Sequence, residues 1–119
     1  MDHSVEFLNL VYDAKSRIRE VSVDAALERR KSGAVLIDVR EDDEFEKGRA
    51  AGACHMGRGI IERDIVEAYP EKGSELILYC GGGYRSALAA DNLQKMGYTN
   101  VWSMAGGWAA WKEVGAPTD

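Results

Sequence analysis

The residues with the clearest chemical potential lie between positions 80 and 86, which read Cys-Gly-Gly-Gly-Tyr-Arg-Ser. Three consecutive glycines permit backbone angles closed to other residues, so their N–H groups can turn inward around one centre. A helix predicted from about Arg85 adds unpaired N–H groups and the positive end of its dipole. This segment therefore predicts an anion-binding cradle with the Cys80 thiol at its floor. The cradle residues are Gly81, Gly82, Gly83, Tyr84, Arg85 and Ser86.

Cys80 is the expected nucleophile, because a thiol at a helix N-terminus beside an arginine ionises more readily than a free cysteine. Arg85 offers a fork of donors, either to an oxyanion of the substrate or to carbonyls of the loop. Ser86 offers a hydroxyl to the sulfur or a cap to the helix. The alternative interpretation is a buried strand cysteine followed by a tight turn. Three glycines directly before an arginine and a helix favour the functional interpretation.

Four further residues have both a functional and a structural interpretation. Arg58, between two glycines, either lines the mouth of the pocket or is a solvated loop arginine. Cys54 is expected to be a packed residue rather than a resolving thiol for Cys80. His55 is expected to be packed or exposed rather than a catalytic base. Tyr84 is expected to project outward from the loop, at the entrance or toward a partner.

Composition excludes several classes of function. The chain has 119 residues, 45% of them hydrophobic, which fits one globular domain. A net charge of −5 with mixed signs along the chain argues against a nucleic-acid partner. No apolar run is long enough to span a membrane, and the N-terminus lacks a secretory pattern, so a cytoplasmic location is expected. Two cysteines and two histidines make no metal-ligand pattern, and neither a metal nor another cofactor is expected.

Apolar strands alternate with helices along the chain. The runs at 34–39 and 75–80 are rich in apolar residues and predict buried strands, while 52–56 and 101–103 predict weaker ones. Helices are predicted over about 5–18, 22–33, 42–47, 60–69, 85–96 and 108–114. This alternation predicts a single small α/β domain with an open, mostly parallel sheet and helices on both faces. Ligands of such sheets bind beyond the carboxyl ends of the strands, which is where Cys80 is predicted.

From about Val21 to Gly115 the sequence resembles a single-domain rhodanese, a thiosulfate sulfurtransferase-type domain. The resemblance rests on several motifs in the right order. These are Leu36-Ile37-Asp38-Val39-Arg40, then Glu44-Phe45 and Gly48, then Gly52-Ala53, the loop from Cys80 to Ser86, and Gly106-Gly107 with Trp108 and Trp111. It implies a rhodanese-like domain over residues 21–119, preceded by a helical extension over residues 1–20. Asp38 and Arg40 are expected to form a structural ion pair or turn-capping set.

The resemblance implies that Cys80 takes sulfane sulfur from thiosulfate or another persulfide donor, becomes a persulfide and passes the sulfur to a thiophilic acceptor. Cyanide, a thiol or a protein could be that acceptor. Phosphatases of similar fold use a loop one residue longer, so four residues between Cys80 and Arg85 favour sulfur over phosphate. A cysteine-dependent phosphatase or arsenate reductase, and a non-catalytic interaction module, stay as alternatives. Two departures from the family pattern are the side-chain-free Gly81 to Gly83, which suggests weaker thiosulfate binding or another donor, and Arg49 in place of a histidine.

Overall fold

The computed structural model describes residues 3–119. Within them, five parallel strands form one sheet in the order β1-β5-β4-β2-β3, which places β4 at its centre. The only antiparallel pairing in this range is an isolated bridge between Ala50 and Thr118. The strands are β1 (Arg19–Val21), β2 (Val35–Asp38), β3 (Cys54–His55), β4 (Leu76–Tyr79) and β5 (Val101–Met104).

Six helices alternate with these strands. They are α1 (Val5–Lys15), α2 (Val23–Lys31), α3 (Asp42–Lys47), α4 (Ile61–Ala68), α5 (Tyr84–Lys95) and α6 (Gly107–Glu113). Ser4 and Ser22 cap α1 and α2 by accepting hydrogen bonds from the backbone N–H groups three residues on. None of the helices in the described residues has the length and apolar character needed to cross a membrane.

The sheet is buried on both faces, which explains the continuous apolar character of its central strands. Leu78 of β4 points into a core shared with α4 and α5, whereas its neighbour Ile77 points into a core shared with α2 and α6. Side chains of successive strand residues alternate between faces, so a strand buried on both sides needs apolar residues throughout. The predicted α/β architecture with helices on both faces is confirmed.

Strand β1 was not expected from the sequence. Arg19 and Glu20 are exposed and only Val21 is buried, so the strand has no apolar run to reveal it. It pairs with β5 at the edge of the sheet. Helix α1 also ends at Lys15, earlier than its predicted boundary at residue 18. The domain boundary drawn at residue 20 stays a prediction, and β1 spans it.

Candidate active site

Cys80 directly follows β4 at the carboxyl edge of the sheet and is 1% exposed. Backbone N–H groups of Gly83 and Ser86 donate hydrogen bonds to its Sγ, at N···S distances of 3.1 and 3.4 Å. The thiol lies 3.5 Å from Ser86 Oγ, which in turn lies 2.8 Å from Ser103 Oγ. Donors that converge on one sulfur stabilise its anionic form, and a hydroxyl can rotate to join them. The sulfur therefore lies in the amide cradle that the sequence predicts.

The beginning of α6 supports the loop from below. The N–H of Trp108 donates to the carbonyl of Cys80 at 2.7 Å, and that of Ala109 to the carbonyl of Gly81 at 3.2 Å. Gly107 makes this approach possible, since a Cβ there would lie 2.3 Å from the Cys80 carbonyl oxygen. Its φ of +53° also favours glycine. Position 107 therefore requires glycine, because the Cys80 backbone packs directly against it.

The three loop glycines have different roles. Gly83 has a φ of +102° and precedes α5 directly, so the turn into the helix requires it. A Cβ on Gly81 would lie 3.2 Å from Nη2 of Arg85, whose side chain crosses the loop at this point. At Gly82 a Cβ would meet nothing within 4 Å. One glycine of the three, rather than all of them, therefore adopts a left-handed conformation.

Arg85 is held by an acidic side chain of α3 instead of the partners expected from the sequence. Its Nη1 and Nη2 donate to the two carboxylate oxygens of Glu44, at 2.7 and 3.1 Å. This pair holds the pKa of Glu44 at about 2 and raises the pKa of Arg85. Of the two kinds of partner considered from the sequence, a substrate oxyanion or the loop carbonyls, the loop carbonyls accept no hydrogen bond from Arg85 in the described residues. Its fork is occupied by a carboxylate that the sequence showed only as part of the Glu44-Phe45 motif.

A cavity of about 680 Å³ opens above the sulfur. It is bounded by the loop, by the segments that follow β2 and β3, and by the N-terminal part of α1. Its lining residues are His3, Phe7, Glu41, Glu44, Arg58, Gly59, Cys80, Gly82, Tyr84 and Arg85. Sequence reasoning did not place His3, Phe7, Glu41, Glu44 or Gly59 at the pocket, because packing between distant segments brings these residues together.

Tyr84 was predicted to project outward from the loop, but its ring packs against α1 instead. It is the first residue of α5 and is partly buried against α1. Its ring meets that of His3 edge-on, with centroids 4.9 Å apart, and that of Phe7 at 6.4 Å. The ammonium of Lys15 lies 5.4 Å from the Tyr84 ring centroid. We call His3, Phe7 and Tyr84 the aromatic wall of the pocket.

Arg58 lines the same cavity, which is the first of the two positions considered for it from the sequence. Its side chain also borders a smaller cavity between α1 and α5. Within residues 3–119 it makes no ion pair, and its Nε is buried without a hydrogen-bond partner. Arg58 is thus a pocket cation that makes no direct ion pair with a carboxylate of the described chain.

The structure separates Cys54 and His55 from the nucleophile. Cys54 lies on β3 and is separated from β4 by β2, so its backbone is about 10 Å from that of β4, too far for a disulfide with Cys80. The His55 ring stacks on Phe45, with centroids 4.3 Å apart, and its Nε2 is 2.9 Å from the Arg40 carbonyl. Both residues have the packing positions that the sequence analysis favours.

Asp38 and Arg40 form a buried ion pair under the pocket. Asp38 is completely buried and Arg40 is 3% exposed. The guanidinium donates to both carboxylate oxygens, with Nη2 at 2.8 Å from Oδ2, and reaches the Gly48 carbonyl at 2.7 Å. Neither residue lines the cavity above Cys80. The predicted structural ion pair is therefore present, and it fixes the segment between β2 and α3, the helix that carries Glu44.

Comparison with known proteins agrees with this architecture. The thiosulfate sulfurtransferase GlpE of Ectopseudomonas mendocina is 31% identical over 97 residues, covering 82% of this chain and 87% of the relative. A solved polysulfide-sulfur transferase homodimer from Wolinella succinogenes superposes with a TM-score of 0.82 at 27% identity, covering 96% and 87% of the two chains. A protein of unknown function from Rhodopseudomonas palustris, described as a possible tyrosine phosphatase, gives a TM-score of 0.87 at 30% identity, covering 100% and 99%.

The family model for the rhodanese-like domain matches residues 22–114. That range contains every strand of the sheet except β1, together with the loop from Cys80 to Ser86. Family, fold and relatives support sulfurtransferase activity at the level of the family. The chain belongs to the rhodanese-like domain family.

Proposed function

We propose that this protein is a sulfurtransferase that moves sulfane sulfur from thiosulfate or another persulfide donor to a thiophilic acceptor through a persulfide on Cys80. The observation that carries the proposal is the environment of Cys80 Sγ. It accepts hydrogen bonds from the Gly83 and Ser86 amides at the floor of an open cavity. Such donors stabilise the attacking thiolate and the persulfide anion that replaces it.

The reaction divides into two balanced half-reactions. The Cys80 thiolate attacks the outer sulfur of thiosulfate, a new S–S bond forms, and the original S–S bond breaks with its electron pair leaving on sulfite. The resulting Cys80 persulfide anion then gives its outer sulfur to a nucleophile such as cyanide, which leaves as thiocyanate and restores the thiolate. Neither half-reaction needs an external base once Cys80 is ionised. Ping-pong kinetics are expected.

Phosphatase activity is the second candidate, because a structural relative carries that description. Two observations weigh against it here. Glu44 occupies the Arg85 fork that would otherwise hold phosphate oxygens. The loop also has four residues between Cys80 and Arg85, one fewer than the phosphatase loops considered above. A non-catalytic module is disfavoured because the cysteine and its amide donors are intact.

The proposal is tested by measuring thiocyanate formation from thiosulfate and cyanide, with p-nitrophenyl phosphate hydrolysis measured in parallel. The wild type and Cys54→Ser are expected to form thiocyanate at similar rates, and Cys80→Ser to form none above background. Thermal unfolding of Cys80→Ser shows whether the variant is folded. Hydrolysis of the phosphate ester that depends on Cys80, without thiocyanate formation, would replace the proposal with the phosphatase alternative.

A further inference from the structure

We infer that the aromatic wall selects a singly charged organic donor, one that carries its sulfane sulfur on an apolar group, over thiosulfate. This inference rests on the proposed sulfurtransferase function of Cys80. In this proposal the carbon group of the donor packs against the aromatic wall, and Phe7 is a specificity-determining residue. Size, charge and rigidity of the pocket each support it.

The cavity is large and has an apolar side. At about 680 Å³ it falls in the range of pockets that hold organic ligands, whose walls combine aromatic surface with a few placed polar groups. Phe7 and Tyr84 supply aromatic rings on one side of the pocket whose floor is Cys80. A small inorganic dianion would leave most of this space and both rings without a contact.

The charges that line the pocket do not suit a dianion. Glu44 neutralises Arg85 through both carboxylate oxygens, and its pKa of about 2 keeps it ionised near neutral pH. Glu41 and Arg58 also carry opposite charges. With His3 left aside, the four charged side chains that line the described pocket therefore have a net charge of zero. A nucleophilic Cys80 thiolate adds a negative charge. A donor with one negative charge is repelled less than one with two.

The wall is fixed in position by the packing of α1 on α5. Val11 and Ala14 are buried, with exposures of 0% and 1%. Arg17, just after α1, donates to both carboxylate oxygens of Asp91 on α5, at 3.0 and 2.7 Å. Asp91 is 6% exposed, and this pair lowers its pKa. Phe7 therefore belongs to a helix anchored on the domain, so its ring is a preorganised surface for a ligand.

Thiosulfonates provide matched probes, because their reacting group is constant while the carbon group varies. The Cys80 thiolate attacks the outer sulfur of R–SO₂–S⁻. A Cys80 S–S bond forms, the donor's S–S bond breaks, and its electron pair leaves on the sulfinate R–SO₂⁻. Methanethiosulfonate and benzenethiosulfonate carry the same charge and differ in the apolar size of their carbon group and in the reactivity that this group gives them. Thiosulfate offers the same sulfur with one more negative charge.

The experiment measures kcat/KM for these three donors, with cyanide as acceptor, in the wild type, Phe7→Ala, Phe7→Leu and Tyr12→Ala. Tyr12 is the matched control, since it is an aromatic residue of α1 that is 57% exposed and outside the cavity. We expect the wild type to prefer the benzene over the methane donor by roughly tenfold, and both over thiosulfate. Phe7→Ala should lower the benzene-to-methane ratio by roughly three- to tenfold, and Phe7→Leu by less. Tyr12→Ala should leave it unchanged.

The comparison of variants removes the difference in intrinsic reactivity between the two thiosulfonates, because that difference is the same in every variant. An unchanged ratio in folded Phe7→Ala, or an equal fall in Tyr12→Ala, would overturn the role of the wall. A wild type that uses thiosulfate best would also overturn it, while leaving the sulfurtransferase function standing. Absence of thiocyanate with all three donors would instead reject the sulfurtransferase function itself.

Discussion

The guanidinium of Arg85 is bound at 2.7 and 3.1 Å by the two carboxylate oxygens of Glu44, a residue from a different helix. The pair joins the end of the Cys80 loop to α3 and neutralises an arginine that lines the same pocket as the nucleophile. The donors left to contact an anion in the pocket are therefore Arg58, which makes no direct ion pair in the described chain, and the loop amides. It also links the stability of the loop to pH, because Glu44 must be ionised to hold Arg85.

Glu44→Gln tests this linkage. The pKa of Glu44 falls from its ordinary 4.5 to about 2 in the folded protein, so the pair stabilises the fold fully above about pH 5. That contribution is lost as pH falls through 4.5 toward 2, since the unfolded chain binds the proton first. Because both side chains are about one-third exposed, the expected loss of unfolding free energy near neutral pH is about 1 kcal/mol. Urea unfolding over a pH series measures it.

Glu46→Gln is the control, because Glu46 is an exposed residue of the same helix. It should change the free energy of unfolding little at any pH. A difference between wild type and Glu44→Gln that stays the same from neutral pH down to about pH 2 would contradict the linkage.

Gly107→Ala is expected to damage the loop through its backbone support. The added Cβ would meet the Cys80 carbonyl at 2.3 Å, at a φ of +53° that disfavours alanine. We expect the free energy of unfolding to fall by about 3 kcal/mol, with thiocyanate formation reduced in the folded fraction. Gly73→Ala is the control, because a Cβ there meets nothing within 4 Å and its φ is not positive. Equal stability of the two variants would show that the α6 contact is dispensable.

Asp38→Asn is expected to destabilise the domain by about 3–5 kcal/mol, because it leaves the Arg40 charge buried without its partner. Asp64→Asn breaks an arginine pair on the surface, with Arg63, and should lower the free energy of unfolding much less than Asp38→Asn does. Denaturant unfolding of both variants makes the comparison. Similar losses from the buried and the exposed pair would argue against a structural role for Asp38.

Ser86→Ala removes the hydroxyl beside the sulfur and leaves the Ser86 amide in place. We expect kcat/KM for thiosulfate to fall about tenfold, since a hydrogen bond to a charged group contributes roughly 1.5–3 kcal/mol. Ser103→Ala should have a smaller effect, because it removes only the partner of that hydroxyl. If kcat/KM falls more in Ser103→Ala than in Ser86→Ala, with both proteins folded, the Ser86 hydroxyl is not the group that stabilises the sulfur.

The sequence was sufficient to predict the elements whose signals are local. The apolar run Leu76–Tyr79 predicts β4 close to its observed position. Ser22, which caps α2, does the same for the beginning of that helix. The position of Cys80 follows from the same reasoning, because it comes directly after a central strand. Strand β1 escaped prediction because pairing with β5, not its own composition, creates it.

The partners of the site residues depend on the packing of distant elements. Glu44 and Arg85 are 41 residues apart, and the Phe7–Tyr84 contact requires α1 to lie on α5. No periodicity within either segment encodes such a contact. For the same reason, the local sequence predicts neither the contact of Tyr84 with α1 nor the binding of the Arg85 guanidinium by Glu44.

The most direct test of the central claim is the intact mass of the reduced protein after incubation with thiosulfate or benzenethiosulfonate, before and after cyanide is added. The account predicts that the wild type and Cys54→Ser gain the mass of one sulfur atom and lose it to cyanide with formation of thiocyanate. Cys80→Ser should gain nothing. No gain with either donor, or a gain that persists in Cys80→Ser, would contradict the assignment of Cys80 as the sulfur carrier.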